Sequence, residues 1–173
     1  MSDLTSLLDQ HLHIPPRSEC ENTLRLLIRM GLMVIGAAEG SLLVLNEETN
    51  ELEFALTVGD PKSEAMLLGQ RVPVGLGITG LAAATSRVQI GAPTFKDVRQ
   101  SSRGDTPASG PEAVMAAPVM AGERLVAVMT AVSFEKAKRF TNQDGKMFGG
   151  FAVIAGALVG QNLRLAERDR RHP

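Results

Sequence analysis

Helical spacing of apolar residues is the first clear pattern along the chain. Apolar side chains recur every three or four positions over residues 24–35, which predicts an amphipathic helix of about five turns ending near residues 37–40. Ser18 and Glu21 have the spacing of a capping box and predict that this helix begins there. Residues 1–17, which precede that start, are predicted to form a separate N-terminal arm.

Strand-like patterns occur in two pairs. The apolar run Ser41–Leu45 and the alternating segment Leu52–Val58 flank a polar turn, Glu47–Asn50, and together predict a hairpin. The alternation predicts that the second strand turns one face to the core and the other to water. Ala113–Met120 and Leu125–Ser133 predict a second, more apolar hairpin. Two hairpins between helices indicate an antiparallel sheet with helices packed on it.

Turn residues delimit the shorter elements between these hairpins. Asp60 is placed to cap a helix that begins with proline, and Gly69 is placed to stop it, so a short helix is predicted over Pro61–Leu68. Further along, Leu81–Thr85 predicts a helix of about two turns. Arg87–Ile90 then predicts a short strand.

The last helix has the most regular pattern. Thr141 and Asp144 have the spacing of an N-cap and its partner, and the apolar positions over residues 147–165 recur as in a helix that runs to about Asp169. A second stripe on this helix consists of small residues that would let another backbone approach closely. These residues are Gly149, Ala152, Gly156 and Gly160. The uncharged run over 147–163 is short for a membrane span and rich in glycine, so a buried or partner-facing helix is predicted.

The stretch Gly75–Gly80 allows two interpretations. It fits the G-x-G-x-x-G pattern of a dinucleotide-binding loop, with Asp97 about 20 residues after the first glycine. A dinucleotide fold, however, requires a buried strand before the glycines and a long helix after them. Here Pro73 interrupts the short preceding strand, and the following helix is short. We therefore predict a tight passage from strand to helix over a ligand pocket.

Charge and composition narrow the range of partners. The net charge is -1, and aromatic residues make up 3% of the chain, all of them phenylalanine. Neither value favours binding to nucleic-acid phosphates or bases. The single cysteine, Cys20, excludes an internal disulfide, and the N-terminus lacks the features of a signal peptide. These features predict one cytoplasmic domain that does not enter a membrane.

The order of these segments resembles that of the GAF domain, a family of small-molecule-sensing domains. The resemblance rests on the helix and hairpin at the start of the chain and on four later runs, Val72–Gly80, Asp97–Arg99, Val114–Val119 and Arg139–Asp144. It implies an α+β, PAS-related fold with an antiparallel sheet of five or six strands. The terminal helices would pack on one face, often forming a dimer bundle, and a ligand pocket would lie on the other. The domain would span residues 18–165, followed by a basic tail, 166–173.

Specialised members of the family use residues that this chain lacks at the matching places. Covalent bilin attachment uses a pocket cysteine and methionine-sulfoxide reduction several, but Cys20 falls in the first helix. Haem binding uses a pocket histidine, whereas His11, His13 and His172 lie outside the predicted core. The segment Thr94–Asp97 matches the cyclic-nucleotide signature only in part. We therefore predict no cofactor, no metal site and no enzymatic activity.

Two functions remain. The first is a regulatory domain that binds a small molecule non-covalently, dimerises through its terminal helices and passes a signal to a protein partner. The alternative is a ligand-free dimerisation or docking module, or a fragment of a longer sensor. The predicted polar contacts to the ligand are Thr79, Asp97, Arg99, Ser101, Ser102 and Ser109, and the predicted walls of the pocket are Val58, Ile78, Ile90, Met115 and Thr130. Each could instead be a local cap, a solvated loop residue or a core residue.

Overall fold

The computed structural model describes residues 16–93 and 110–171. These residues form four helices and six strands. In chain order they are α1 Pro16–Ile35, β1 Glu39–Asn46, β2 Glu51–Val58, α2 Pro61–Leu67, β3 Arg71–Pro73, α3 Gly77–Thr85, β4 Gln89–Gly91, β5 Ala113–Ala121, β6 Arg124–Ser133 and α4 Asn142–Arg171.

The six strands form one antiparallel sheet in the order β3-β2-β1-β6-β5-β4. The first hairpin, β1–β2, and the second, β5–β6, meet where β1 pairs with β6. Both hairpins and their turns lie where the sequence predicts them. The expected α+β fold, with its antiparallel sheet and packed helices, is confirmed.

The first and last helices pack together on one face of the sheet. Ile28 and Leu32 of α1 are buried there, as is Phe148 of α4, which has no exposed surface. A Cβ atom placed on Gly31 would lie 3.1 Å from the Phe148 ring, so the two helices are in close contact at this point. We call α1 and α4 the helical layer.

Capping chemistry sets the ends of three helices. The Asp60 carboxylate accepts from the Lys62 backbone N–H at 3.0 Å before α2, and Gly69 follows that helix with φ of +79°. Before α4, Thr141 and Asp144 exchange the reciprocal bonds of a capping box, at 2.8 and 3.1 Å. Gly36 has φ of +64° and ends α1.

The structure corrects both predicted ends of α1. The helix begins at Pro16, two residues before Ser18, because a proline is well suited to the first helical position. It ends at Ile35 rather than near residues 37–40, since the Ala37 N–H already bonds back to the Leu32 carbonyl at 2.9 Å.

The prediction that β2 has a water-facing side holds only for its first half, where Glu51 and Glu53 are partly exposed and alternate with the buried Leu52. It fails for the second half, because a β-bulge changes the phase of the strand. Leu42 of β1 pairs with Leu56, but the next residue, Leu43, pairs with Phe54, so Ala55 is an extra residue in β2. As a result Phe54 packs on one face of the sheet and Leu56 on the other. β2 thus supplies apolar side chains to both faces.

The small-residue stripe of α4 packs inside the domain. A Cβ atom on Gly156 would lie only 2.0 Å from the Met120 carbonyl oxygen of β5, and one on Gly160 would lie 3.3 Å from the Ala121 Cβ atom. Ala152, on the same stripe, has no exposed surface. The backbone that approaches these glycines is therefore β5 of the same chain. In the part of the chain that the structure describes, no helix combines the length and apolar character needed to cross a membrane.

Candidate functional site

The glycine stretch forms a tight turn between β3 and α3. Gly75 and Gly77 have φ of +90° and +63°, conformations that favour glycine. The Gly75 N–H donates to the Gly80 carbonyl at 2.8 Å, and the Leu76 N–H donates to the Pro73 carbonyl at 3.2 Å. A Cβ atom on Gly80 would lie 2.5 Å from that same Pro73 oxygen. The turn's own carbonyls use these two amides, which supports the interpretation of the glycines as a tight passage from strand to helix.

The turn places α3 over the face of the sheet opposite the helical layer. Ala82 is fully buried and Ala83 is nearly so, and both pack with Leu43, Leu52 and Val128 of the sheet. This is a second apolar cluster, distinct from the one beneath the helical layer. We call the face of the sheet that carries it the α3 face.

Three of the predicted site residues belong to or adjoin the α3 face. Ile78 packs against the cluster beneath α3. Thr79 is half-buried in the first turn of α3. Thr130 on β6 is buried, and it alternates with Met129 and Ala131, which point to the helical layer. Its side chain therefore lies on the α3 face.

Three of the predicted pocket residues lie on the opposite side of the sheet, toward the helical layer. Val58 and Met115 belong to the cluster beneath the helical layer, and Ile90 packs against it. A Cβ atom on Gly145 of α4 would lie 3.0 Å from Ile90 and 3.8 Å from the Met115 sulfur. Ile90 and Met115 thus face α4, and all three residues lie on the side of the helical layer rather than on the α3 face. The remaining predicted residues, Asp97, Arg99, Ser101, Ser102 and Ser109, lie outside the described residues.

A set of buried polar side chains on the α3 face was missed by sequence reasoning. Thr57 lies between Leu56 and Val58, both of which pack beneath the helical layer, so its own side chain points the other way. A Cβ atom on Gly40 would meet α1, so Glu39 and Ser41 on either side of it also point to the α3 face.

These side chains form a row across the centre of the sheet. Ser41 stands directly opposite Thr57 on one side and Thr130 on the other. The Ser41 and Thr57 hydroxyls are 3.1 Å apart and hydrogen-bonded. Glu39, nearer the end of β1, accepts from the Ser63 hydroxyl of α2 at 3.3 Å. We call Glu39, Ser41, Thr57 and Thr130 the polar row. Its sequence signal is the polar residues that interrupt the apolar runs of β1, β2 and β6.

An open groove of about 530 Å³ lies at the end of the first hairpin, away from the polar row. Val44, Asn46 and Glu53 line part of it. At its rim the Arg124 guanidinium forms two bonds to the Glu47 carboxylate, at 2.8 and 3.0 Å. These bonds hold the pKa of Glu47 below its ordinary value. None of the predicted site residues lines this groove.

The described residues offer little support for a reactive cysteine or for a metal site. Cys20 is half-buried in α1, and burial raises the pKa of its thiol, which disfavours the reactive thiolate. Residues 16–93 and 110–171 contain no group of three histidine, cysteine, aspartate or glutamate side chains that could hold a metal ion.

The model of the GAF domain family matches residues 18–159 of the chain. Domains of this family generally act as sensing or regulatory domains that bind small molecules, and most are not enzymes. No curated protein matches the chain at a significant level.

Solved structures of the same fold include GAF domains of larger proteins and methionine-sulfoxide reductases. The second GAF domain of DevS from Mycobacterium smegmatis is 22% identical, with a TM-score of 0.63 over 89% of this chain and 99% of that one. The GAF domain of a phosphoenolpyruvate-protein phosphotransferase from Coxiella burnetii is 16% identical, with a TM-score of 0.69 over 93% of each chain. A free methionine-R-sulfoxide reductase from Neisseria meningitidis, solved with its substrate, is 20% identical, with a TM-score of 0.62 over 85% of this chain and 81% of that one. At these identities the likeness establishes the fold alone.

Proposed function

Because the chain belongs to the GAF domain family, we propose that it is a cytoplasmic signal-sensing regulatory domain that binds a small molecule non-covalently on the α3 face. The observation that supports this placement is the polar row. Among the described residues, Glu39, Ser41, Thr57 and Thr130 are four of the six buried polar or charged side chains, and all four lie on this one face.

The physical argument concerns the cost of burying polar groups. A buried hydroxyl or carboxylate that replaces an apolar side chain of similar size lowers stability unless hydrogen bonds compensate for its desolvation. The opposite face, beneath the helical layer, is built mainly from aliphatic residues and alanine. Bonds within the row and to Ser63 compensate part of this cost, and the restriction of the row to one face supports recognition of a polar ligand there.

Of the site residues predicted from the sequence, Thr79 and Ile78 of α3 and Thr130 of β6 belong to the proposed site, together with the rest of the polar row. The five predicted polar residues between 97 and 109 stay predictions. Met115, Val58 and Ile90 are left out of the proposed site because they face the helical layer.

Ser41→Ala with a matched control tests the placement. Native mass spectrometry of the purified protein and a thermal-shift screen with polar metabolites would first identify a ligand. Loss of the Ser41 hydroxyl is expected to weaken binding about tenfold, the effect of one hydrogen bond. The control is Ser133→Ala, which removes a buried hydroxyl that lies outside the polar row and accepts from the Glu135 N–H. Equal affinities for both variants and the wild type would contradict the site.

Dimerisation is the second part of the proposal, and it rests on exposed apolar side chains of the helical layer. Met33 of α1 is 76% exposed, and Ile154 of α4 is 53% exposed. Leu26 and Met30 extend the first stripe at helical spacing, and Met147 extends the second. Contiguous apolar surface on a soluble domain is typical of an interface. We propose that a second copy covers these stripes and that the dimer passes its signal to a protein partner.

Sedimentation of two variants tests the dimer. Met33→Glu combined with Ile154→Glu is expected to convert a dimer into a folded monomer at tens of micromolar, because it places four carboxylates in one interface. Leu81→Glu, an exposed helical position on α3, is the control and should stay dimeric. A monomeric wild type would refute this part. A dimer that binds no metabolite would favour the alternative, a ligand-free dimerisation or docking module.

A further inference from the structure

The short helix α2 contacts both the polar row and the helical layer. Ser63 is fully buried, and its hydroxyl donates to Glu39 of the polar row at 3.3 Å. The next residue, Glu64, accepts from the Arg25 guanidinium of α1 at 2.7 Å. Two adjacent residues of one helix therefore bond to opposite sides of the domain.

Arg25 makes a second connection of the same kind. Its guanidinium donates to the Thr57 carbonyl at 3.0 Å, whereas the Thr57 hydroxyl lies in the polar row, bonded to Ser41. Glu21, one turn earlier on α1, holds the same guanidinium at 3.1 Å. Partial burial alone would lower the pKa of Arg25, but the bonds to Glu64 and Glu21 outweigh it and raise that pKa, so the side chain stays charged.

We propose that Arg25 and α2 couple the polar row to α1, so that a change at the row alters the helical layer and the reverse. This inference rests on the proposed sensing function, in which the ligand lies at the row and the dimer forms through α1. Arg25 is a positioning residue in this scheme. It holds α2 and the end of β2 and does not itself contact the ligand.

The reason α2 suits this role is its low intrinsic stability. A seven-residue helix is too short to persist without tertiary contacts. Its position therefore depends on tertiary contacts, among them the bonds of Ser63 and Glu64 and the burial of Leu67. A segment held in this way opens locally at low cost, and two sites that share such a segment are thermodynamically coupled. The coupling must be reciprocal.

Hydrogen exchange of α2 gives the first test. Arg25→Met removes the guanidinium and keeps the apolar stem, and it is expected to speed exchange of the Glu64 and Leu68 amides, whose bonds close the helix, by about tenfold. Arg29→Met, an exposed arginine one turn further along α1, makes the same charge change and should leave these amides within about twofold of the wild type.

A double-mutant cycle distinguishes coupling between the polar row and α1 from a role of Arg25 that is limited to holding α2 in place. The second change is Ser63→Ala, which removes the bond to Glu39 of the polar row. If α2 connects the two sides, the unfolding equilibrium constant of the double mutant should differ by threefold or more from the value expected when the effects of Arg25→Met and Ser63→Ala are independent. The cycle of Arg29→Met with Ser63→Ala should be additive within about twofold. Additivity in both cycles, or unchanged α2 exchange in Arg25→Met, would overturn the proposal.

These measurements need neither a ligand nor a dimer, so they distinguish failure of the coupling from failure of the sensing function. Where the wild type dimerises, Ser63→Ala should also change the dimer dissociation constant at least twofold. That change should disappear in the Arg25→Met background and persist in the Arg29→Met background. Persistence in both backgrounds would show that the polar row reaches the helical layer by another route and would also overturn the proposal.

Discussion

Gly156→Ala should destabilise the domain, although the same substitution is favourable in most helices. Gly156 lies at the middle of α4, against the backbone of β5. An added Cβ atom would stand 2.0 Å from the Met120 carbonyl oxygen and 2.9 Å from the carbonyl carbon. Both are backbone atoms of β5, so a rotamer change in a side chain cannot remove the steric clash.

The magnitude follows from two opposing effects. Cβ atoms essentially never approach another heavy atom within 3.0 Å, so helix and strand must separate by about 1 Å, from 2.0 to 3.0 Å. Overpacking of this kind costs about 1–3 kcal/mol or more, whereas replacing a helical glycine by alanine contributes up to about 1 kcal/mol. The net loss should be about 1–2 kcal/mol, and the domain should still fold.

Gly150 provides the matched control on the same helix. A Cβ atom there meets nothing within 4 Å, so Gly150→Ala should raise the free energy of unfolding by about 0.5–1 kcal/mol. Urea unfolding followed by circular dichroism would give both values, and repetition at several protein concentrations would separate folding from dimerisation. The reasoning would be refuted if the Gly156 variant matched or exceeded the wild type in stability.

Three further outcomes follow from local geometry. Gly80→Ala should lower the free energy of unfolding by about 1–3 kcal/mol in urea titration, because its Cβ atom would lie 2.5 Å from a backbone oxygen of the preceding turn; an unchanged midpoint would contradict the tight turn. The pKa of Glu47, measured by NMR, should lie below the ordinary carboxyl value and rise in Arg124→Met. Because the folded pKa is lowered, the pair stabilises the fold above the unfolded pKa, and this stabilisation is lost as the pH falls through the folded pKa. Alkylation of Cys20 should be slower in the folded protein than in denaturant, because burial raises the pKa of its thiol, and equal rates would show that the thiol is exposed.

Elements whose ends depend on local chemistry could be predicted from the sequence. The capped helix over 61–68 and the capping box at Thr141 depend on side chains that bond to backbone groups within three residues of themselves. The glycine stretch was predicted as a turn because Pro73 disfavours a central strand. Such interactions can be predicted because both partners lie within a few residues of each other in the sequence.

Features that depend on contacts between distant segments could not be predicted. The small-residue stripe of α4 indicates a close backbone neighbour, but only the fold identifies this neighbour as β5 rather than a second copy. In the same way, Met115 and Thr130 both look like pocket walls in an apolar strand, and the pairing of β5 with β6 assigns them to opposite faces. The polar row is assembled from three strands, so no single segment contains its pattern.

The bulge at Ala55 divides β2 into two halves with different structural neighbours. Leu52 and Phe54 before it pack with α3, whereas Leu56 and Val58 after it pack with α1. In an alignment of related chains, the first pair should therefore co-vary with residues of α3 and the second with residues of α1. A one-residue deletion at Ala55 should be accepted only together with compensating changes in one of these two groups, because it would turn half of the strand over. A relative whose first hairpin is one residue shorter or longer should therefore also differ in the residues that pack either with α3 or with α1.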